Sequence, residues 1–361
     1  MRTSRRGIAR VLAWLAMVAG GLAVYVPAYA QSKGGGKTPP PNIARPICFE
    51  VGQKNQSVLQ RADVNGTSII TVNTGVRSQT QWPRWSPDGL LIGGYYKTVN
   101  KDAALMVMSP SGANEHVVMT ATQFNAWNLS RPGVLDSRYP SNRQRDFPCW
   151  LGNDAFIFAG DTTYDATLFG GTPGETITAT RLFIVDATGT IAPLTEIAAL
   201  GGTDSDYNAH WSPALNKIVF NGSGQLYAIN PDGTDLVPII RSSNVGNWQY
   251  AVWSPAGDRL VVGEGLSRSL WILDVDLSQP NPGMGEGGRV TAMLPFKAPT
   301  DGQIRTPAWS PDGRFLVYSR SRYTVGDYIL VADVVTGDEH VVCGPVPNTW
   351  GADWDPLDFG L

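Results

Sequence analysis

Histidine, cysteine and charge are all scarce in this chain. Its 361 residues hold three histidines and three cysteines, and 16% of them are charged. Neither His-Glu-x-x-His nor a P-loop occurs, which excludes the zinc peptidases and nucleotide hydrolases built on them. A Gly-x-Ser-x-Gly elbow is also missing, so the nucleophile of an α/β-hydrolase has no position. No cofactor and no metal site can be assigned. Lys plus Arg number 28 against 31 Asp plus Glu. Four of the arginines, Arg2, Arg5, Arg6 and Arg10, lie in a segment (residues 1–30) with no acidic residue. Without them, 24 basic groups face 31 acidic ones. That balance excludes a general nucleic-acid binder, which needs a basic surface.

Long apolar runs are also few. Residues 11–26 (VLAWLAMVAGGLAVYV) form one, at 16 residues short of the ~20 that span a bilayer. The arginines before it, Pro27 after it and the small residues of Ala28-Tyr29-Ala30 read as a signal peptide over 1–30, cleaved before Gln31. The Ser4-Arg5-Arg6 stretch suits twin-arginine export, and ordinary Sec export fits as well. The expected location is periplasmic or secreted, with no membrane insertion after cleavage. Residues 31–45 (QSKGGGKTPPPNIAR) read as a disordered Gly/Pro-rich leader.

What the chain does have is glycine (40), proline (26) and tryptophan (12). Six tryptophans end an extended segment and open a turn: Trp85, Trp150, Trp211, Trp253, Trp309 and Trp354. Trp85-Ser-Pro-Asp-Gly89, Trp253-Ser-Pro-Ala-Gly257 and Trp309-Ser-Pro-Asp-Gly313 carry the full motif. Ser-Pro-Asp-Gly suits a type I turn, with proline presetting φ. A short apolar strand, a second strand, an Asx-to-Gly turn and a last strand follow each tryptophan but Trp354. A motif recurring every 40–65 residues signals a repeat architecture, and four antiparallel strands per repeat make a propeller blade.

The expected fold is therefore all-β: a six-bladed β-propeller over 46–361. After Trp354 the chain stops three strands short of a blade. Three strands between residues 47 and 72 supply them, so one C-terminal and three N-terminal strands close the ring. Closure removes two unpaired strand edges.

The Trp-Ser-Pro-Asp-Gly turn, the Leu-Tyr-x-Ile-Asn strand and the Asp-Gly-Thr turn resemble the WD-like repeats of TolB-type propellers. The resemblance covers about 46–361. TolB itself carries an α/β domain ahead of its propeller, whereas here the repeats begin soon after the leader. The motif implies the fold and leaves function open.

Candidate chemistry is sparse. His116 and His340 fall on outermost strands of different blades and are expected at the surface. His210 precedes Trp211 on an innermost strand and could face the central channel. Asp204-Ser-Asp206 and Asp353-Trp-Asp355 read as turn residues. An odd cysteine count leaves one thiol unpaired. Cys48 and Cys343, on neighbouring blades, could meet as a disulfide, and Cys149 reads as a small buried hydrophobe.

Length varies mainly in the middle and inter-blade connections, notably 121–145, 160–180 and 280–305. These share one end of the ring, where function concentrates. Counting four back from each repeat tryptophan reaches this mouth, at Gln81, Asp146, Tyr207, Gln249, Arg305 and Trp350, with Trp82 and Trp248 beside them. The expected partner-binding set is Trp82, Asp146, Tyr207, Trp248, Gln249, Arg305 and Trp350. Trp127, Arg131, Arg138, Tyr139, Arg143 and Arg145 come from the first insertion. Trp, Tyr and Arg dominate binding hot spots. Two functions follow. One is an exported, non-catalytic, monomeric propeller gripping a peptide or protein in the cell envelope. The other is a carbohydrate-active enzyme, lyase or glycosidase-like, stacking a glycan on the same aromatics.

Overall fold

The computed structural model describes residues 46–356, apart from 54–55, 73–78, 98–101, 141–147, 196–205, 223, 241–247, 265–268, 281–287, 298–301, 323–324, 347–348 and 350. Residues 1–45, where a signal peptide and a leader are expected, lie outside the described residues, as do Asp146 and Trp350.

Strands follow one another blade by blade. First come β1 (Ile47–Gln53), β2 (Gln56–Ala62) and β3 (Ile69–Thr71). Blade one is β4 (Gln79–Trp85), β5 (Ile92–Lys97), β6 (Ala103–Met108) and β7 (His116–Thr120). A helix, α1 (Ala121–Leu129), and β8 (Val134–Arg138) precede blade two, which is β9 (Cys149–Leu151), β10 (Ala155–Asp165), β11 (Thr176–Asp186) and β12 (Ile191–Pro193). Blade three is β13 (Asp206–Ser212), β14 (Lys217–Gly222), β15 (Gln225–Ile229) and β16 (Val237–Ile240). Blade four is β17 (Trp248–Trp253), β18 (Arg259–Glu264), β19 (Ser269–Val275) and β20 (Val290–Lys297). Blade five is β21 (Gln303–Trp309), β22 (Phe315–Arg322), β23 (Gly326–Asp333) and β24 (Glu339–Val346). The last strand, β25 (Ala352–Trp354), joins β1, β2 and β3 as blade six. All pairings are antiparallel. The ring closes through Ile47 opposite Trp354, Cys48 opposite Asp353 and Phe49 opposite Ala352.

The turns after the tryptophans show why Ser-Pro-Asp-Gly recurs. In blade one the Gly89 N–H donates to the Ser86 carbonyl (2.9 Å). The Ser86 hydroxyl donates to Asp88 (2.6 Å) and accepts the Leu91 N–H (2.9 Å). Gly89 sits at φ +65°, where a side chain would be strained. Ser310, Asp312 and Gly313 repeat this in blade five. Serine satisfies two backbone groups and glycine lets the chain turn back into the next strand.

Cores lie between blades. Phe49, Val317, Val331 and Trp354 fill the seam of blades five and six. Cys48, Leu59, Trp85 and Tyr96 fill that of six and one. Side chains alternate along β1, so Ile47 and Phe49 face blade five while Cys48 faces blade one. Cys343 belongs to the first seam and Cys48 to the second, and both thiols are free. The alternation of β1 thus separates the two thiols that the sequence left open as a disulfide. Blade two departs from the others. Its β10 and β11 run 11 residues each, and β8 pairs with the far part of β10 as a fifth strand. No described helix is long and apolar enough to cross a membrane.

Candidate functional site

The innermost strands contain a feature that counting along the sequence missed. β4, β13, β17 and β21 each shift register once, between Gln81 and Arg84, Tyr207 and His210, Gln249 and Val252, and Arg305 and Ala308. Each shift is a β-bulge, one extra residue on the inner strand. Within each, the residue three before the repeat tryptophan has positive φ: Trp82 (54°), Asn208 (55°), Tyr250 (54°) and Thr306 (47°). Gly351 occupies the same place before Trp354 at 70°. Gly351 and Asn208 carry a sequence signal, since glycine takes left-handed conformations freely and asparagine tolerates them. Trp82, Tyr250 and Thr306 hold a strained backbone.

The bulge decides where the expected mouth residues go. Trp82 turns inward, 6% exposed, its ring 5.7 Å from that of Tyr95 and its backbone N–H donating to Glu50 Oε2 (3.0 Å). Tyr207 and Trp248 are buried at 4% and 2%. The Trp248 carbonyl accepts from the Asn221 side chain. Gln249 is buried, and Arg305 is half-buried with its Nε on Gln303 (3.0 Å). From the insertion, Tyr139 and Trp127 pack into the core of blades one and two, Arg131 lies over the Trp127 ring and Arg138 is exposed. Arg143 and Arg145 lie outside the described residues.

The other side of the bulge lines the channel. Arg84, Cys149, His210, Val252, Ala308 and Asp353, each one before a repeat tryptophan, border a cavity of about 230 Å³ at the tight-turn end. Pro87, Pro213, Pro255, Pro311 and Pro356 of the turns line it as well. A narrower space of about 10 Å³ continues inward past Arg84, Asn208, His210, Tyr250 and Thr306.

This ring is stitched from blade to blade. The Trp85 N–H donates to Asp353 Oδ2 (2.8 Å), the Trp211 N–H to Cys149 Sγ (3.4 Å) and the Trp253 N–H to His210 Nδ1 (3.3 Å). The Trp150 and Trp309 indoles donate to the carbonyls of Arg84 (3.0 Å) and Val252 (3.1 Å). His210 does face the channel, as its place before Trp211 suggested. Burial, with Arg84 adding to it, lowers its pKa to about 3, so the ring is neutral. Because Nδ1 accepts, the proton sits on Nε2. Burial raises the Asp353 carboxyl, opposed by Arg84 and the Trp85 N–H. Burial likewise lifts the Cys149 thiol to about 11, so it is not a reactive thiolate. Among the described residues, no three His, Cys, Asp or Glu converge as metal ligands.

A closed ring of six four-stranded blades with tryptophan-led turns is a TolB-like β-propeller fold. The structure is similar to TolB from Acinetobacter baumannii, at TM-score 0.60 and 15% identity over 88% of this chain and 68% of that one. It is also similar to Kuenenia stuttgartiensis hydrazine synthase, at TM-score 0.59 and 12% identity over 88% of this chain and 47% of that one. A third likeness is to the nidogen/laminin complex, at TM-score 0.52, 9% identity and 86% and 98% coverage. No family model matches the chain, and no curated protein matches its sequence.

Proposed function

We propose that this chain is an exported, non-catalytic propeller that holds a peptide or protein partner of the cell envelope at its loop-rich mouth. The observation that carries this is the wall raised on that side by blade two. There β10 and β11 extend well past the six to eight residues usual in the other blades, with β8 laid against them. The wall is rigidly supported. Thr120 and Gln123 form a capping box on α1. Buried Asn128 donates to Ser137 Oγ (2.9 Å) and Thr162 Oγ1 (2.8 Å), tying α1 to β8 and β10. Such a satisfied polar network fixes one arrangement. The wall leaves Leu135 and Leu168 exposed at 54% and 51%, apolar groups suited to a partner. TolB and the nidogen/laminin complex share the fold, which is consistent with a binding role.

The test compares capture of envelope proteins by the intact chain and by Leu135→Ser/Leu168→Ser, Arg305→Ala and Trp350→Ala variants. A specific partner lost in these variants, with melting unchanged, supports the reading. Retention of every captured protein by all variants overturns it.

A further inference from the structure

The cavity at the tight-turn end of the channel has room for a guest and asks for no polar one. At about 230 Å³ it exceeds the ~150 Å³ of apolar cavities that take up a benzene ring. Inward it narrows to about 10 Å³, so an occupant enters from the tight-turn end. Val252, Ala308 and the turn prolines line it, among the repeat tryptophans. The polar side chains of the wall already have protein partners. Arg84 Nη1 reaches the Ala352 carbonyl (3.3 Å) and Asp353 Oδ1 (3.5 Å). Asp353 also accepts the Trp85 N–H, His210 the Trp253 N–H and Cys149 the Trp211 N–H. Ser254 Oγ donates to Asp258 (2.8 Å). An apolar group entering here breaks none of these bonds and takes apolar wall out of water.

The chain itself brings such a group to the rim. Pro356 lines the cavity. Leu357-Asp358-Phe359-Gly360-Leu361 follow it and lie outside the described residues. Phe359 is three residues on, a contour of about 10 Å. A tether this short sets an effective concentration in the millimolar range. Residues 31–45 lead into the same end, because the Asp355 N–H donates to the Pro46 carbonyl (2.8 Å). That segment holds Lys33, Lys37 and Arg45, with Ile43 as its single large apolar residue. Its cations would lose hydration beside Arg84, whereas the tail offers Leu357, Phe359 and Leu361. We propose that residues 357–361 occupy the tight-turn end of the channel, with the Phe359 ring in the cavity. The chain's own tail then closes the channel at that end. The closure does not depend on the partner proposed at the loop-rich mouth.

The experiment uses the full chain, with toluene as the probe of an open cavity. Titration calorimetry and tryptophan fluorescence read binding, since the repeat tryptophans border the cavity. Leu357→Ser/Phe359→Ser should bind toluene about tenfold or more tightly than the parent, because a tethered competitor is gone. Its ring should still melt cooperatively. Phe359→Leu keeps an apolar side chain and should stay close to the parent. A benzophenone amino acid placed at position 359 reads the location directly. On irradiation it should join Val252, Ala308 or a turn proline of the same chain, mapped by mass spectrometry. Toluene affinity equal in the parent and the double variant, or undetectable in both, overturns the proposal. So do adducts confined to residues outside the cavity wall or to a second chain. Toluene binding released by deleting residues 31–45, and not by the tail variant, makes that segment the occupant and overturns it as well.

Discussion

The backbone N–H of Trp85 donates to Asp353 Oδ2 at 2.8 Å, joining residues 268 apart in sequence. Arg84 beside it reaches the same carboxylate at 3.5 Å. Blade one is thus held to the last strand of the chain by a largely buried carboxylate as well as by packing.

Loss of that clasp should open the ring. Asp353→Ala strands an N–H and a guanidinium, and breaking a buried pair from one side costs about 3–5 kcal/mol. Asp353→Asn keeps an acceptor and should cost much less. Deletion of 350–361 removes β25 altogether and should abolish the cooperative melt or cause aggregation. Denaturant unfolding of the three proteins checks this, and parent-like melting of the truncation contradicts a split blade.

Trp309 and Arg305 lie on one strand and should behave in opposite ways. Trp309 is 6% exposed, donates to the Val252 carbonyl and lies under the Arg259 guanidinium at 4.9 Å. Trp309→Ala leaves a core cavity and should cost about 3–5 kcal/mol. Arg305 is half-buried and bonded to its strand neighbour Gln303. Arg305→Ala should leave the midpoint nearly unchanged while weakening partner capture.

His210 should make folding sensitive to mild acid. Its folded pKa is lowered to about 3, against about 6.5 in an unfolded chain. Between those values the unfolded state binds the extra proton, so this contribution to stability is intact above pH 6.5 and lost as pH falls towards 3. The slope approaches about 1.4 kcal/mol per pH unit in that window. His210→Asn can still accept the Trp253 N–H. Its stability relative to the parent should rise from pH 7.5 to pH 4.5, and a constant difference would contradict the assignment.

Glu50 should act in the other direction. It is 2% exposed and burial raises its carboxyl well above the usual range, despite the Trp82 N–H. The folded state keeps a proton that the unfolded state releases above its ordinary pKa, so stability from this group falls as pH rises through that range. Glu50→Gln retains an acceptor for Trp82 and carries no charge. Its midpoint should gain on the parent between pH 5 and pH 8, measured by thermal scans across that range.

Export makes a simple prediction. Material recovered outside the cytoplasm should begin at Gln31 by N-terminal sequencing, and an intact Met1 on such material would contradict cleavage after Ala30.

Local chemistry was legible in the residues themselves. Ser86, Pro87, Asp88 and Gly89 form the turn their order demands, because the serine hydroxyl and the glycine φ satisfy most of it locally. Six tryptophan-led repeats and the strands between residues 47 and 72 determined the blade number, the strand order and the split closure. The channel was not legible, because one added residue in each of four inner strands breaks the two-residue alternation on which counting relies. Nothing in the identities of Trp82, Tyr250 or Thr306 announces a positive φ. Tertiary contacts hold such residues there, as Glu50 and Tyr95 hold Trp82. Those contacts sent Trp82 into the core, and assembly of the six blades brought Arg84, Asn208 and His210 together around one space. Turns are settled by neighbours in sequence, whereas the bulges and the cavity are settled by neighbours in space.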